Sequence, residues 1–345
     1  MKIKFIISTL VLFFSFVSTN VSSKILPPGT GTQADVPSNL LILLDKSGSM
    51  GWRMRNAQGL NYMYASATDN SGNIYVAQYS TYGVKKYNYS DMSNDTSWGN
   101  NGTVGRSGSC RTYYPFGIKV HNGIIYVSSY YDRKIRKIRV SDGACLGSIT
   151  PPNRPKHIDI HNGHLYASTD RGLFTLNISN GASKMCPNTY RNEWRYSYTI
   201  TGSGSYLYSY YNNRMYRGTL TSSGSNLCPT SVKQYRDYTM SYGYGMTAHP
   251  TNPNELYFMS RQRNAIYKIT VNSNGTGHTV NWKKGRYGYN RQSTATQNYF
   301  YYPWGIHYDD DNDRLIVSGY NQKKIQVFDS DGVFIKDKGG VAATT

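Results

Sequence analysis

The chain has 345 residues and a formal net charge of +19, from 38 Lys and Arg against 19 Asp and Glu. Beyond its first two dozen residues no stretch has the length of an apolar membrane helix, which excludes a helical membrane-embedded body. The basic excess favours anionic partners such as polysaccharide or an acidic surface, and 34 Tyr against 10 Phe favours half-wet sheet faces over a wholly apolar core.

From the N-terminus, Lys2 and Lys4 precede an apolar run from Phe5 to Val17, and Val21-Ser22-Ser23 offers small residues for cleavage. Residues 1–23 therefore read as a signal peptide with Lys24 as the mature start, and removing its two lysines takes +19 to +17. The expected location is secreted or cell-surface, extracellular or periplasmic, with no transmembrane segment after cleavage and no intracellular nucleic-acid partner. Residues 24–59 read as a linker. It contains the apolar run Asn39-Leu40-Leu41-Ile42-Leu43-Leu44, followed by Asp45-Lys46-Ser47-Gly48-Ser49-Met50.

From residue 60 a short core recurs: Ile74-Tyr75-Val76, Ile125-Tyr126-Val127, Leu165-Tyr166-Ala167, Leu207-Tyr208-Ser209, Leu256-Tyr257-Phe258 and Leu315-Ile316-Val317. The spacings between middle residues are 51, 40, 42, 49 and 59, the period of propeller blades with insertions. Each core sits between an apolar strand and an alternating one, separated by turns such as His121-Asn122-Gly123 and Ser141-Asp142-Gly143. No amphipathic helical stretch interrupts this pattern. The reading is all-β: a six-bladed β-propeller of four-stranded antiparallel blades over residues 60–338, with a tail at 339–345. The unit is weakest around the fourth blade, Tyr196 to Pro229.

Tyr302-Pro303-Trp304-Gly305-Ile306, Arg314-Leu315-Ile316-Val317, Lys324-Ile325-Gln326-Val327-Phe328-Asp329 and Asp331-Gly332 together resemble one NHL repeat, and Tyr114-Pro115-Phe116-Gly117-Ile118 opens another. The resemblance implies six blades. The Asp usual after the core strand is missing; Gln78, Ser129 and Gly319 stand near its place. The run ending in Asp45-x-Ser47-x-Ser49 resembles the opening of a von Willebrand A domain, as in type IV pilus tip adhesins of the PilY kind. That resemblance implies Asp45, Ser47 and Ser49 as oxygen ligands of Mg²⁺. The rest of such a domain has no room before the first blade, so the segment reads as a remnant or a borrowed strand.

Four further groups carry candidate chemistry. Asp309, Asp311 and Asp313 alternate as in a calcium loop, although Arg314 and Tyr320 occupy positions where an EF-hand wants Gly and Glu; a polar hairpin turn is the alternative. Tyr64, Phe116, Lys156, Tyr244 and Trp304 align at the start of the innermost strands, with Tyr196 or Ser197 in the fourth blade. They are expected to ring one channel mouth and to hold a glycan or another extended anionic ligand, against a packing role. His121, His161 and His249 align with Asp69 and Asp309 at turns; His157 alone stands opposite Gly117, Gly245 and Gly305 in the channel, too few ligands for the zinc of NHL-like lyases. Cys110, Cys145, Cys186 and Cys228 form no C-x-x-C and suit disulfides; neighbours in sequence give Cys110–Cys145 and Cys186–Cys228. The functional expectation is a secreted binding or adhesion propeller, pilus- or surface-associated, with a glycan, cell-surface or protein partner. The alternative is a metal-dependent hydrolase or lyase acting on a glycan or small ester.

Overall fold

A computed structural model describes residues 60, 62–79, 82–186, 194–195, 197–221, 228–238, 240–285 and 300–339. Asp45, Ser47 and Ser49, with the rest of the N-terminal segment, lie outside the described residues. Apart from a helical conformation at Trp194, every regular element among the described residues is a β-strand, and the strands form six four-stranded antiparallel sheets. The blades span 63–104, 118–149, 155–185, 200–236, 243–284 and 303–339. This is the all-β, six-bladed architecture expected from the repeat. No helix among the described residues is long and apolar enough to cross a membrane.

The local chemistry explains the hairpins. Asn122 and Gly123 both have positive φ (48° and 71°), as do Asn162 and Gly163 (48° and 74°). Two consecutive left-handed residues make the tight turn whose twist matches paired strands, and Asn-Gly tolerates it best. The recurrent core strands are buried on both faces because blades pack against blades. Between blades 1 and 2, Tyr75, Ala77, Val84 and Trp98 meet Ile118, Ile125, Val127 and Ile138. The repeated core tyrosines keep their hydroxyls satisfied at the blade edge: Tyr75 donates to Asp69 Oδ2 (2.8 Å), Tyr208 to Pro253 O (3.1 Å) and Tyr257 to Ser330 O (3.3 Å). A phenylalanine would fill the same space and lose that bond.

The innermost strands are Met63–Thr68, Ile118–His121, Pro155–His161, Ile200–Ser203, Gly243–Ala248 and Pro303–Asp309, and each touches the next around a closed ring. Glycine permits the approach. A Cβ on Gly305 would lie 2.6 Å from Tyr64 O, and one on Gly117 2.7 Å from Ile158 N. Each blade uses four consecutive strands, so among the described residues no strand is exchanged across the seam between blades 6 and 1. The seam is held by side chains. Leu60, Met63, Ile74, Val76 and Tyr87 pack on Ile316, Ile325 and Val327. Ser318 Oγ bonds Ser66 Oγ (2.9 Å), and Arg314 donates to Gly72 O (3.1 Å). Two disulfides, Cys110–Cys145 and Cys186–Cys228, brace the outer strands. The second spans blades 3 and 4, where the sequence repeat is weakest. Paired cysteines fit an extracellular or otherwise oxidising compartment.

Candidate functional site

The channel has two chemically different ends. At the end where the innermost strands begin, Tyr64, Phe116, Tyr244 and Trp304 converge. Ring centroids lie 4.6 Å apart for Tyr64–Phe116 and Tyr64–Trp304, and 4.4 Å for Tyr244–Trp304. Among the described residues the fourth blade supplies Tyr198, one residue beyond the expected Ser197; Tyr196 lies outside the described residues. The Tyr198 ring stacks on Tyr244 at 4.7 Å, and Lys156 Nζ sits 4.2 Å from its ring centroid. Burial lowers the Lys156 pKa to about 8, against the pull of Asp170.

A backbone device aims these side chains. Strand pairing slips between Met63 and Ala65, between Gly243 and Gly245, and between Pro303 and Gly305, each time at the column residue. A corresponding slip in blade 3 spans Pro155 to Ile158. A β-bulge adds one residue and redirects it, here toward the axis. The result is a plug: Tyr64, Trp304 and Lys156 are only 5%, 8% and 5% exposed. They cover one another, which differs from an open stacking surface.

Two residues earlier comes an outer layer: Tyr62, Tyr114, Arg154 and Tyr302, half-buried, and Tyr242, exposed. Tyr114, Tyr242 and Tyr302 adopt left-handed φ of 57°, 55° and 48°. That conformation is uncommon for a bulky residue and costs free energy. Cations lie on rings of this layer and of its neighbours. Arg261 Cζ is 5.1, 4.8 and 4.9 Å from the rings of Tyr244, Tyr302 and Trp304. Arg154 lies over Tyr130 and Tyr131, Arg111 over Tyr113, and Lys323 over Tyr62. Among the described residues Arg111, Arg154 and Arg261 make no ion pair, and the buried Nε of Arg261 has no acceptor.

Three residues further along the innermost strands of blades 2 to 6, the channel turns polar. Lys119 pairs with Asp159 at 3.0 Å, and Asp159 also accepts from Gly202 N (2.8 Å) and Thr201 Oγ1 (3.2 Å). His307 Nε2 accepts Thr68 N (3.2 Å), and His157 Nδ1 accepts Ile200 N (3.3 Å). Each bond joins one blade to the next. Burial holds His157 down at about pKa 4, and burial with Lys119 nearby holds His307 at about 3. Both rings are therefore neutral acceptors near neutral pH. Burial opposes the charge on Asp159, but Lys119 and the Gly202 N–H outweigh it and keep the carboxyl below its ordinary range. Beyond this set a cavity of about 460 Å³ opens, lined by Thr68, Lys119, His121, His307, Asp310 and Asp311 among others. The sequence pattern pointed to His157 and missed Lys119, Asp159 and His307.

In the acidic turn two of the three aligned carboxylates already have partners. Asp309 is committed to Arg314, both to Nε and to a terminal nitrogen at 2.7 Å. Asp313 accepts from Tyr308 OH and from Ser330 Oγ, and Asp311 is exposed at the cavity rim. Among the described residues no three His, Cys, Asp or Glu side chains converge as a metal-ligand set. The aligned histidines serve turns or line the cavity. His161 Nε2 bonds Gly204 O (2.7 Å), and His249 Nδ1 accepts Thr251 N and Asn252 N at 3.3 Å.

Fold and channel together define a six-bladed β-propeller with an aromatic–cationic face and a polar far end. Among solved structures it is similar to a streptogramin B lyase: 16% identity, TM-score 0.52, covering 83% of this chain and 84% of that one. Virginiamycin B lyase from Staphylococcus aureus is similar at 17% identity and TM-score 0.51, covering 81% and 84%. So is the β-propeller domain of Myceliophteria thermophila Cps50 (Swd1), at 8% identity and TM-score 0.51, covering 81% and 86%. At these identities the likeness is one of fold. No protein-family model matches the chain, and no curated protein matches it in sequence.

Proposed function

We propose that this propeller is a binding module working outside the cytosol, and that its tyrosine- and arginine-rich face takes an extended anionic ligand, an acidic glycan being the best fit. One observation carries the reading: Arg261 is held among Tyr244, Tyr302 and Trp304 with its buried Nε lacking an acceptor among the described residues. A guanidinium seated on rings keeps its edge free to donate to a carboxylate or sulfate, while neighbouring tyrosines offer flat faces to sugar rings. The net charge of +19 adds a long-range attraction. The Trp304 column itself is the floor of this site; the ligand rests on the outer layer of Tyr62, Tyr114, Tyr242, Tyr302 and Arg154. Surface or pilus association and NHL kinship belong to the same proposal.

The binding reading is preferred to an enzymatic one because both channel histidines spend an acceptor nitrogen on a neighbouring blade. The test is a panel of neutral, carboxylated and sulfated glycans titrated against the full chain at several salt concentrations. Acidic members should bind, more weakly as salt rises. Arg261→Gln should weaken them by about tenfold, the effect of losing one charge-assisted hydrogen bond. Equal binding of neutral and acidic glycans, or an unchanged affinity in Arg261→Gln, would sink the proposal.

A further inference from the structure

A second basic recess lies away from the channel, where the outer strands of blade 1 meet the loop leading into blade 2. It is a cavity of about 660 Å³ whose lining includes Lys85, Asn94, Thr103, Arg106 and Ser107 and contains no Asp or Glu. Lys85 is 9% exposed, and among the described residues no carboxylate pairs with it. Burial lowers its pKa, and the charge that acts on it is Arg106, of the same sign. A buried ammonium beside a second cation is unfavourable unless a counter-charge arrives.

The loop is built to hold that arrangement. Gly105 has φ 94°, which turns the chain so that the Arg106 stem lies beside Gly83, where a Cβ would be 3.6 Å from Arg106 Cγ. Thr112 N closes back on Gly105 O at 2.9 Å. Arg136 donates to Ser109 O (2.9 Å) and Arg111 O (2.8 Å), and the Cys110–Cys145 disulfide anchors the far side. Asn94 adds a second, independent mark: its Oδ1 is buried and lacks a donor among the described residues. Such an atom calls for an N–H or O–H from outside.

We propose that this recess binds the anionic end of a hydroxylated ligand, a sulfate or phosphate ester of a sugar, with Lys85 and Arg106 on the oxyanion and Asn94 Oδ1 accepting a sugar hydroxyl. The site is independent of the channel face. Two tetrahedral-anion sources share the chemistry, so the probes are inorganic sulfate, inorganic phosphate, glucose 6-sulfate and glucose 6-phosphate. Each is titrated calorimetrically into the full chain at constant ionic strength.

The sugar esters should bind more tightly than the inorganic ions. Lys85→Gln and, on the exposed side, Arg106→Gln should each weaken every probe by about tenfold. Asn94→Ala should remove the advantage of the esters and leave the inorganic ions unchanged. Arg261→Gln should leave the Lys85- and Arg106-dependent component of binding intact for all four probes, which separates this site from the channel face. Binding that survives Arg106→Gln and Lys85→Gln, or a chain that responds to sulfate no more than to chloride, overturns the proposal. Should Lys85→Gln fail to fold, Arg106→Gln and Asn94→Ala decide the matter.

Discussion

Where the innermost strands begin, Tyr64, Phe116, Tyr198, Tyr244 and Trp304 fill the axis with rings; three residues later, Lys119, Asp159 and His307 surround it with charge and imidazole. The rings attract one another by burial and dispersion, which act without fixed direction. The polar end is held by directed bonds from each blade to the next. One strand presents both chemistries because the bulge at the ring position shifts the alternation by one. An odd step of three residues thus faces the same axis twice. The ring end sets the stability of the closed assembly, whereas the polar end sets its register and its response to pH.

That contrast breaks first at Trp304. Trp304→Ala should cost about 3–5 kcal/mol of stability, the range for emptying a buried aromatic site, read as a lower denaturant midpoint with little change in slope. Loss of glycan binding with unchanged stability would show that the ring is an open surface after all. Asp159→Asn should cost about 2 kcal/mol, because it strips Lys119 of its counter-charge while an acceptor for Gly202 N remains. Lys119→Met in that background should recover part of the loss, and failure to recover would assign the cost to the Gly202 bond.

The smallest effect is a slope. His157 and His307 titrate at about 4 and about 3 in the folded chain, below the ordinary value of 6.5. Their contribution is complete above pH 6.5 and is lost as pH falls through 6.5 toward 4, because the unfolded chain binds those protons first. Asp159, also depressed, adds its own loss only below about 3.8. Melting temperature should therefore decline from pH 6.5 downward, and His307→Gln should flatten that limb. A melting profile level between pH 6.5 and 4.5 would refute the assignment of both rings as buried neutral acceptors.

Much of the fold was legible because one strand repeats with its turns. Ile74-Tyr75-Val76 and its five counterparts mark the blades whatever their insertions. The ring column was legible in five blades through markers beside it, such as Pro303 and Gly305. In blade 4 Tyr198 is flanked by Ser197 and Thr199, with no Gly or Pro to fix the alignment, and the column slid by one or two residues. The polar set was illegible for a different reason. Lys119, Asp159 and His307 each look like an ordinary polar position in an alternating strand; only closing the ring brings three blades' worth together. The calcium reading of Asp309, Asp311 and Asp313 followed spacing alone, and spacing does not reveal that Arg314 claims Asp309.

Because every blade is four consecutive strands and the seam is closed by side chains, no sheet depends on where the polypeptide is cut. Leu60 lies against Gly339, so the first and last blades bring the two ends of the ring to one place. Joining those ends and opening the chain in the short connection between blades 2 and 3, at residues 150–154, would leave all six sheets whole. Such a rearranged molecule keeps both faces of the channel while moving its termini two blades round the rim. The same modularity lets duplication or loss proceed by whole blades, so binding residues on one face can be exchanged blade by blade without rewriting any hydrogen-bonded ladder.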